Sequence, residues 1–331
     1  MQLPLSFLQI QPPRFAIQAG TSLIGVPDSA DKQGALATAL WLQAEAANRT
    51  AHPELALPIV DRALAIARQL DGNETLKGDL ELAAGRIGRA QGMAQRALEH
   101  FLAAHEIFVG TSNARKQAIA LQEVGNVYYS ARDFDQALKY FDRAINAYGD
   151  DPSFLMVNYN NSANALRELG KLEQATENYQ KALEYAAGMN SPMLNARILS
   201  NIAASEFENN DLEAASKTAD RGLAQFKNDE VTEWHHFLWG VKARVAFAEG
   251  RVGDARRLIM RTFQNQDTTQ TAFPYRDFHE AAFQIFQANG EPEKALEHLI
   301  ALKRLEDDAL QTAASANTSL ITARFDFANQ E

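Results

Sequence analysis

Apolar residues recur along the chain at helical spacing, and the pattern restarts about every 40 residues. In the stretch from Ala118 to Asp151, Ala137, Phe141 and Ala144 fall at i, i+4 and i+7, so they share one face of a helix. Upstream of a short break at Arg132 and Asp133, Val124, Gly125 and Tyr128 share a face of a preceding helix. The small residues Gly125 and Ala137 predict a close antiparallel crossing of the two helices, with Tyr128 and Phe141 filling the space beside it. The alanine recurs as Ala56, Ala97, Ala175, Ala215, Ala255 and Ala295, each leading a similar helical run, with spacings of 41, 40, 38, 40, 40 and 40 residues. A near-constant period of this size predicts seven helix pairs stacked one on the next.

The copies are uneven. Gly85, Ala163, Ala203 and Ala243 take the small position of Gly125, but Phe283 takes it in the last pair. Ala219 and Ile259 replace the aromatic of Phe141, and Gly222 and Thr262 replace Ala144. Pro58 falls about one turn into the second helix of the first pair and is expected to end or kink it. Residues 1–31 carry Pro4, Pro12, Pro13 and Pro27 and read as a leader, with Asp28 or Ser29 able to cap the first helix. The repeats are expected over residues 32–303. Helical composition then continues through 304–331, where Leu320 with Phe327, and Ile321 with Phe325, would form a narrow apolar face.

The set Gly125, Tyr128, Ala137, Phe141 and Ala144 resembles the signature of the tetratricopeptide repeat (TPR) family. The resemblance covers about residues 33–303 and implies an all-α, right-handed TPR superhelix, an α-solenoid of about seven helix pairs plus a C-terminal helix. HEAT and armadillo repeats share the longer period but not this residue set. The usual TPR unit has about 34 residues, and the roughly six extra ones add about 9 Å of helix per pair. Long-helix repeats of this kind are similar to those of kinesin light chain, the bacterial Rap regulators and the bacterial maltose-regulon activator. The final stretch LITARFDFANQE resembles the connector that follows TPR arrays in bacterial sensors. Two readings of the C-terminal helix stand: a cap, or a link to a downstream diguanylate cyclase or histidine kinase domain for which the repeats are the sensory input.

Charge and composition narrow the partners. The chain of 331 residues is 46% hydrophobic and 22% charged, with a net charge of −10. An acidic balance opposes binding to nucleic acid or to anionic membranes. There is no cysteine, which removes disulfides and thiolate metal sites. No apolar run approaches the roughly 18 residues of a membrane span. The N-terminus makes a poor signal peptide, so the cytoplasm is the default compartment and the periplasm the alternative for a membrane sensor.

The TPR resemblance implies that first helices line a concave groove for a protein or an extended peptide. In the third pair the expected lining is Gln122, Asn126 and Tyr129; in the fourth, Asn160, Asn161, Asn164 and Arg167; in the fifth, Arg197, Ser200, Asn201 and Glu208. A carboxamide both donates and accepts, so a ladder of asparagines can grip a peptide backbone. Asn126, Asn161 and Arg197 match positions of the TPR carboxylate clamp, whereas Gln122 and Asn201 stand where the clamp has Lys and Arg. With two cations missing, the match implies backbone binding of an internal segment. The competing reading is that these residues only solvate helix faces. Elsewhere, GRIGRAQG at 85–92 follows no strand and lacks the Lys-Ser/Thr of a phosphate loop, so its glycines are expected to serve packing. His235 and His236 point to different helix faces, and neither His100 nor His105 has a partner legible in the sequence. Trp234 and Trp239 are expected in the core of the sixth pair. No catalytic set, cofactor motif or metal site is expected.

Overall fold

The computed structural model describes residues 30–49, 53–226 and 231–328, with only the helical backbone described for 30–31, 53 and 318–328. The leader, its caps Asp28 and Ser29, and the apolar face of Leu320, Ile321, Phe325 and Phe327 therefore lie outside what is described. The described residues form fourteen helices and no strand. α1 (Ala30–Arg49) pairs with α2 (Ala56–Arg68), and α3 (Glu74–Ala90) with α4 (Ala94–Gly110); α5 (Ala114–Ser130) and α6 (Phe134–Ala147) follow in sequence. Then come α7 (Pro152–Glu168) with α8 (Leu172–Ala187), α9 (Pro192–Glu208) with α10 (Leu212–Leu223), α11 (Glu233–Ala248) with α12 (Val252–Thr262), and α13 (Arg276–Ala288) with α14 (Pro292–Ala328).

All seven anchor alanines lie on second helices, and each is buried: six are fully enclosed and Ala295 is 4% exposed. Pairs begin and end where the local chemistry says they should. Asp151 and Ser191 cap α7 and α9 with their side chains, and each is followed by Pro at the first helical position, where a missing N–H costs nothing. Gly92 closes α3 at φ +75°, and the Met93 N–H bonds back to the Gly88 carbonyl at 2.9 Å, the wrap that satisfies a last-turn carbonyl. Pro58 departs from the expectation. A 3-10 turn at Pro53–Leu55 precedes α2, so Pro58 is only the third helical residue, within the first turn, and the helix runs on to Arg68.

The chain divides into two compact bodies, residues 1–131 with 315–331, and residues 132–314. In the first, the core runs from Ala37 and Leu40 through Val60 and Leu64 to Leu80 and Ile87. Gly85 works as a clearance: a Cβ built there would stand 2.5 Å from the ring of Phe101, the residue four past the anchor Ala97. Gly78 does the same for Phe108. Of the glycines in 85–92, Gly85 and Gly88 serve packing as expected, the latter against the Ala97 backbone, whereas Gly92 supplies the positive φ of the turn that ends α3. Near its end, α14 joins this body through Asn317, whose side-chain amide donates to the Ala131 carbonyl at 3.0 Å.

The second body has two apolar clusters. One, around Ala163, Tyr179, Ile198 and Ile202, joins α7, α8 and α9. The other, around Leu238, Val241, Ile259, Phe278 and Ile285, joins α9 to α14. Trp239 is buried and Trp234 packs against the second cluster, as expected for the sixth pair. The degenerate positions are filled by complementary size: a Cβ on Gly222 would meet Leu238 at 2.6 Å. The last second helix does not stop at repeat length. α14 is one 37-residue helix that passes residue 304 unbroken.

Candidate functional site

In the second body, four positions of the first helices recur when counted back from the anchor alanine of the same pair. Arg167, Phe207 and Phe247 stand eight residues before Ala175, Ala215 and Ala255. Asn164, Arg244 and Gln284 stand eleven before Ala175, Ala255 and Ala295. Asn161, Asn201 and Ala281 stand fourteen before theirs, and Arg197 and Asp277 stand eighteen before theirs. Steps of three and four residues put these positions on one helix face. Between α9, α11 and α13 this face opens into a pocket of about 240 Å³ lined by Phe207, Arg244, Phe247, Asp277, Ala281 and Gln284. These six belong to the four recurring positions, and Ala248 and Glu280 complete the lining beside them.

Charge on this face is arranged in alternation. Arg167 on α7 lies 3.9 Å from Glu208 on α9 and 4.0 Å from Glu168. Arg244 on α11 stacks over the Phe207 ring at 4.2 Å and lies 3.8 Å from Asp277 on α13. Arg276 closes on Asp277 at 2.6 Å. Burial would push the Asp277 carboxyl up, but Arg244, Arg276 and Arg167 outweigh it and hold the pKa below the ordinary carboxylate range. For Glu208, burial prevails over Arg167 and the pKa is raised. Arg197 is different. It is half-buried, burial lowers its pKa, and among the described residues its guanidinium has no ion-pair partner.

The other residues expected in the groove divide by their bonds. Asn164 accepts the Tyr179 hydroxyl at 2.6 Å, and Asn201 donates to Asn160 at 3.0 Å, tying α9 to α7. Both stay half-exposed, as does Asn161. Asn160 and Ser200, expected on the groove face, are instead 3% and 4% exposed: Asn160 faces Asn201 of α9, and Ser200 donates to the Arg197 carbonyl of its own helix at 2.7 Å. In the first body, Asn126 and Tyr129 are half-buried on α5, whereas Gly125 and Tyr128 are buried. Asn126 donates to Glu123 at 3.2 Å, and the same carboxylate takes Arg86 at 2.7 Å and Arg89 at 3.5 Å. The arginines of the glycine-rich stretch are thus ion-pair partners of Glu123. His100 also finds a partner that the sequence did not reveal, Glu81 at 2.6 Å. Among the described residues no group of three His, Asp or Glu is placed to hold a metal, and no helix is long and apolar enough to cross a membrane.

Sequence reasoning missed Phe207, Arg244, Phe247 and Asp277. The signal was present: counting eight, eleven and eighteen residues back from Ala215, Ala255 and Ala295 reaches all four. Phe207 lies in the fifth pair; Arg244 and Phe247 in the sixth and Asp277 in the seventh stand at the positions that carry Asn164, Arg167 and Arg197 in the fourth and fifth.

A family model described as the MalT-like TPR region matches residues 74–324. The chain belongs to that family. Its helix pairs are thus the repeats of a MalT-like TPR region, and the 40-residue period is that of its long helices. Stress-induced-phosphoprotein 1 of Caenorhabditis elegans is 30% identical over 117 residues, 35% of this chain and 35% of that protein. The STIP1 homolog of Dictyostelium discoideum is 27% identical over 112 residues, 34% of this chain and 19% of that protein. The chain thus matches only about a fifth to a third of the length of these relatives. Among solved structures, the apo form of RapI superposes with a TM-score of 0.72 at 11% identity, covering 90% of this chain and 81% of that one. A Rap protein complexed with Competence and Sporulation Factor superposes with a TM-score of 0.59 at 13% identity, covering 90% of this chain and 93% of that one. At these identities the likeness shows the fold.

Proposed function

We propose that this MalT-like TPR region is a non-catalytic scaffold that binds an extended peptide or protein segment along the first-helix face of its second body. The observation that carries the reading is Arg197, a half-buried cation without an ion-pair partner among the described residues, on the face that also bears the Phe207–Arg244–Phe247 pocket. A partly desolvated guanidinium gains from an incoming carboxylate or backbone carbonyl, because its hydration is already partly lost. Asn161, Asn164, Arg167 and Asn201 stand on the same face and can meet peptide carbonyls and amides. Asn126 and Tyr129 offer the equivalent positions in the first body. The Rap protein whose solved complex holds Competence and Sporulation Factor supports the reading by likeness of fold.

A phage-displayed random peptide library selected on the full chain tests this. Enriched peptides are expected to bind Arg197→Ala with Asn161→Leu at least tenfold more weakly by isothermal titration calorimetry, with helicity unchanged. Recovery of peptides whose affinity ignores both substitutions would sink the assignment of this face.

A further inference from the structure

We infer that α14 is a self-association helix, pairing with α14 of a second copy in antiparallel register about a two-fold axis at the level of Leu305. The starting observation is where large apolar side chains remain exposed. Twelve do so among the described residues, and four of them, Leu296, Leu299, Ile300 and Leu310, are on α14, at 39–62% exposure. At 100° per residue these four, together with Lys303 and Asp307, fall within a sector of about 100°, a single stripe.

The repeat explains why this stripe is open. In earlier pairs the residue four past the anchor is enclosed: Val60, Phe101, Phe141, Tyr179, Ala219 and Ile259 are all 0–1% exposed. Leu299 holds that position after Ala295 and is 39% exposed. The residue one past the anchor meets the next pair, as Thr176 on α8 does when it bonds Ser205 on α9 at 3.1 Å. Leu296 holds that position and is 56% exposed. The seventh pair thus presents a face of the kind on which earlier pairs receive a neighbour.

The pattern on the stripe selects the occupant. Lys303 and Asp307 sit in its middle, bonded to each other at 2.6 Å and exposed to solvent. They are two residues either side of residue 305, and Ile300 and Leu310 are five residues either side. An antiparallel second copy therefore sets Lys303 against the partner's Asp307 and Ile300 against the partner's Leu310, each twice. A two-fold contact must be self-complementary, and this stripe is so in both charge and apolar content. The seam from Leu296 to Leu310 is only about 21 Å long, at the small end of specific interfaces. Self-association is expected at roughly 1–100 µM.

Sedimentation equilibrium on the full chain from about 1 to 200 µM tests this. The unmodified chain is expected to pass from monomer to dimer. Ile300→Glu with Leu310→Glu is expected to remain monomeric with unchanged circular dichroism, because both positions face solvent within one copy. Lys303→Glu and Asp307→Lys each create two like-charge contacts and are expected to weaken dimers at least tenfold. Mixed in equal amounts, these two variants should pair with each other, since every cross-contact is then opposite in sign. A chain that stays monomeric throughout, a dimer indifferent to the double glutamate variant, or a mixture no tighter than its components would each overturn the proposal. None of these results depends on peptide binding.

Discussion

In the first body, Glu81 is 4% exposed and lies between His100 at 2.6 Å and Arg68 at 2.9 Å. In the second, His279 and His298 meet ring to ring, with their Nδ1 atoms 2.9 Å apart, and no carboxylate among the described residues bonds either. Thr271 holds the far nitrogen of His279 at 2.8 Å, and Phe263 and Phe286 pack against the rings. The same repeat thus encloses titratable groups in two ways. A carboxylate is kept charged by cations, and a pair of imidazoles is kept neutral by burial with no carboxylate bonded to it. Burial pushes the Glu81 carboxyl up, but the bonds from His100 and Arg68 prevail and hold it below the ordinary range. Burial lowers His298 to about 4, and burial with the neighbouring His298 lowers His279 to about 3. Two facing Nδ1 atoms need one proton between them, and a second would set N–H against N–H.

The largest effect should come from stripping Glu81 of its cations. Arg68→Leu with His100→Leu leaves a buried carboxylate unpaired and is expected to cost about 3–5 kcal/mol in urea unfolding. A loss below about 1 kcal/mol would mean that water reaches Glu81 in the folded state.

Acid separates the two bodies. Both histidines have folded pKa values below the unfolded value of about 6.5, so their contribution is present above that pH. It is lost as pH falls toward 4 for His298 and toward 3 for His279, by roughly 2–3 kcal/mol at pH 4 from His298 alone. Glu81 has a depressed folded pKa, so its contribution persists down to its unfolded value of about 4.3 and is lost only below it. Hydrogen exchange, corrected for intrinsic rates, should therefore show α13 and the first half of α14 losing protection between pH 6.5 and 4.5 while α3 and α4 keep theirs. The reverse order would contradict this account.

The smallest effect sharpens the comparison at a shared position. Phe101 and Tyr179 both stand four residues past an anchor and both are fully enclosed. Phe101 is admitted by the missing side chain of Gly85, whereas Tyr179 adds a hydroxyl bonded to Asn164. Tyr179→Phe is expected to lower stability by about 1 kcal/mol, read as a shift of the urea midpoint at constant slope. A neutral result would show that Asn164 is satisfied as well by water.

The anchors Ala97, Ala137, Ala175, Ala215 and Ala255, the aromatic positions beside them and the breaks between helices were legible because they follow from local periodicity and turn chemistry. A 3.6-residue period and a capping Asp or Ser need no knowledge of distant partners. The tolerance of Pro58 was not legible, since the start of α2 at Ala56, which puts the proline within the first turn, rests on the preceding 3-10 turn and not on any residue type. The polar lining was only partly legible. Asn160 and Asn161 are adjacent and chemically alike, yet Asn160 is buried against α9, where it accepts the Asn201 amide, while Asn161 stays half-exposed.

The sequence by itself determined the helix pairs, their number and the face each turns to the core, since these rest on spacing along single helices. Only the tertiary structure decided which side chains on those helices stay available. The partners of Asn164, His100 and Arg244 come from helices roughly 15–40 residues away, and so does the cover that Leu296 and Leu299 lack. Hydrogen bonding and burial at such separations are properties of the packed chain.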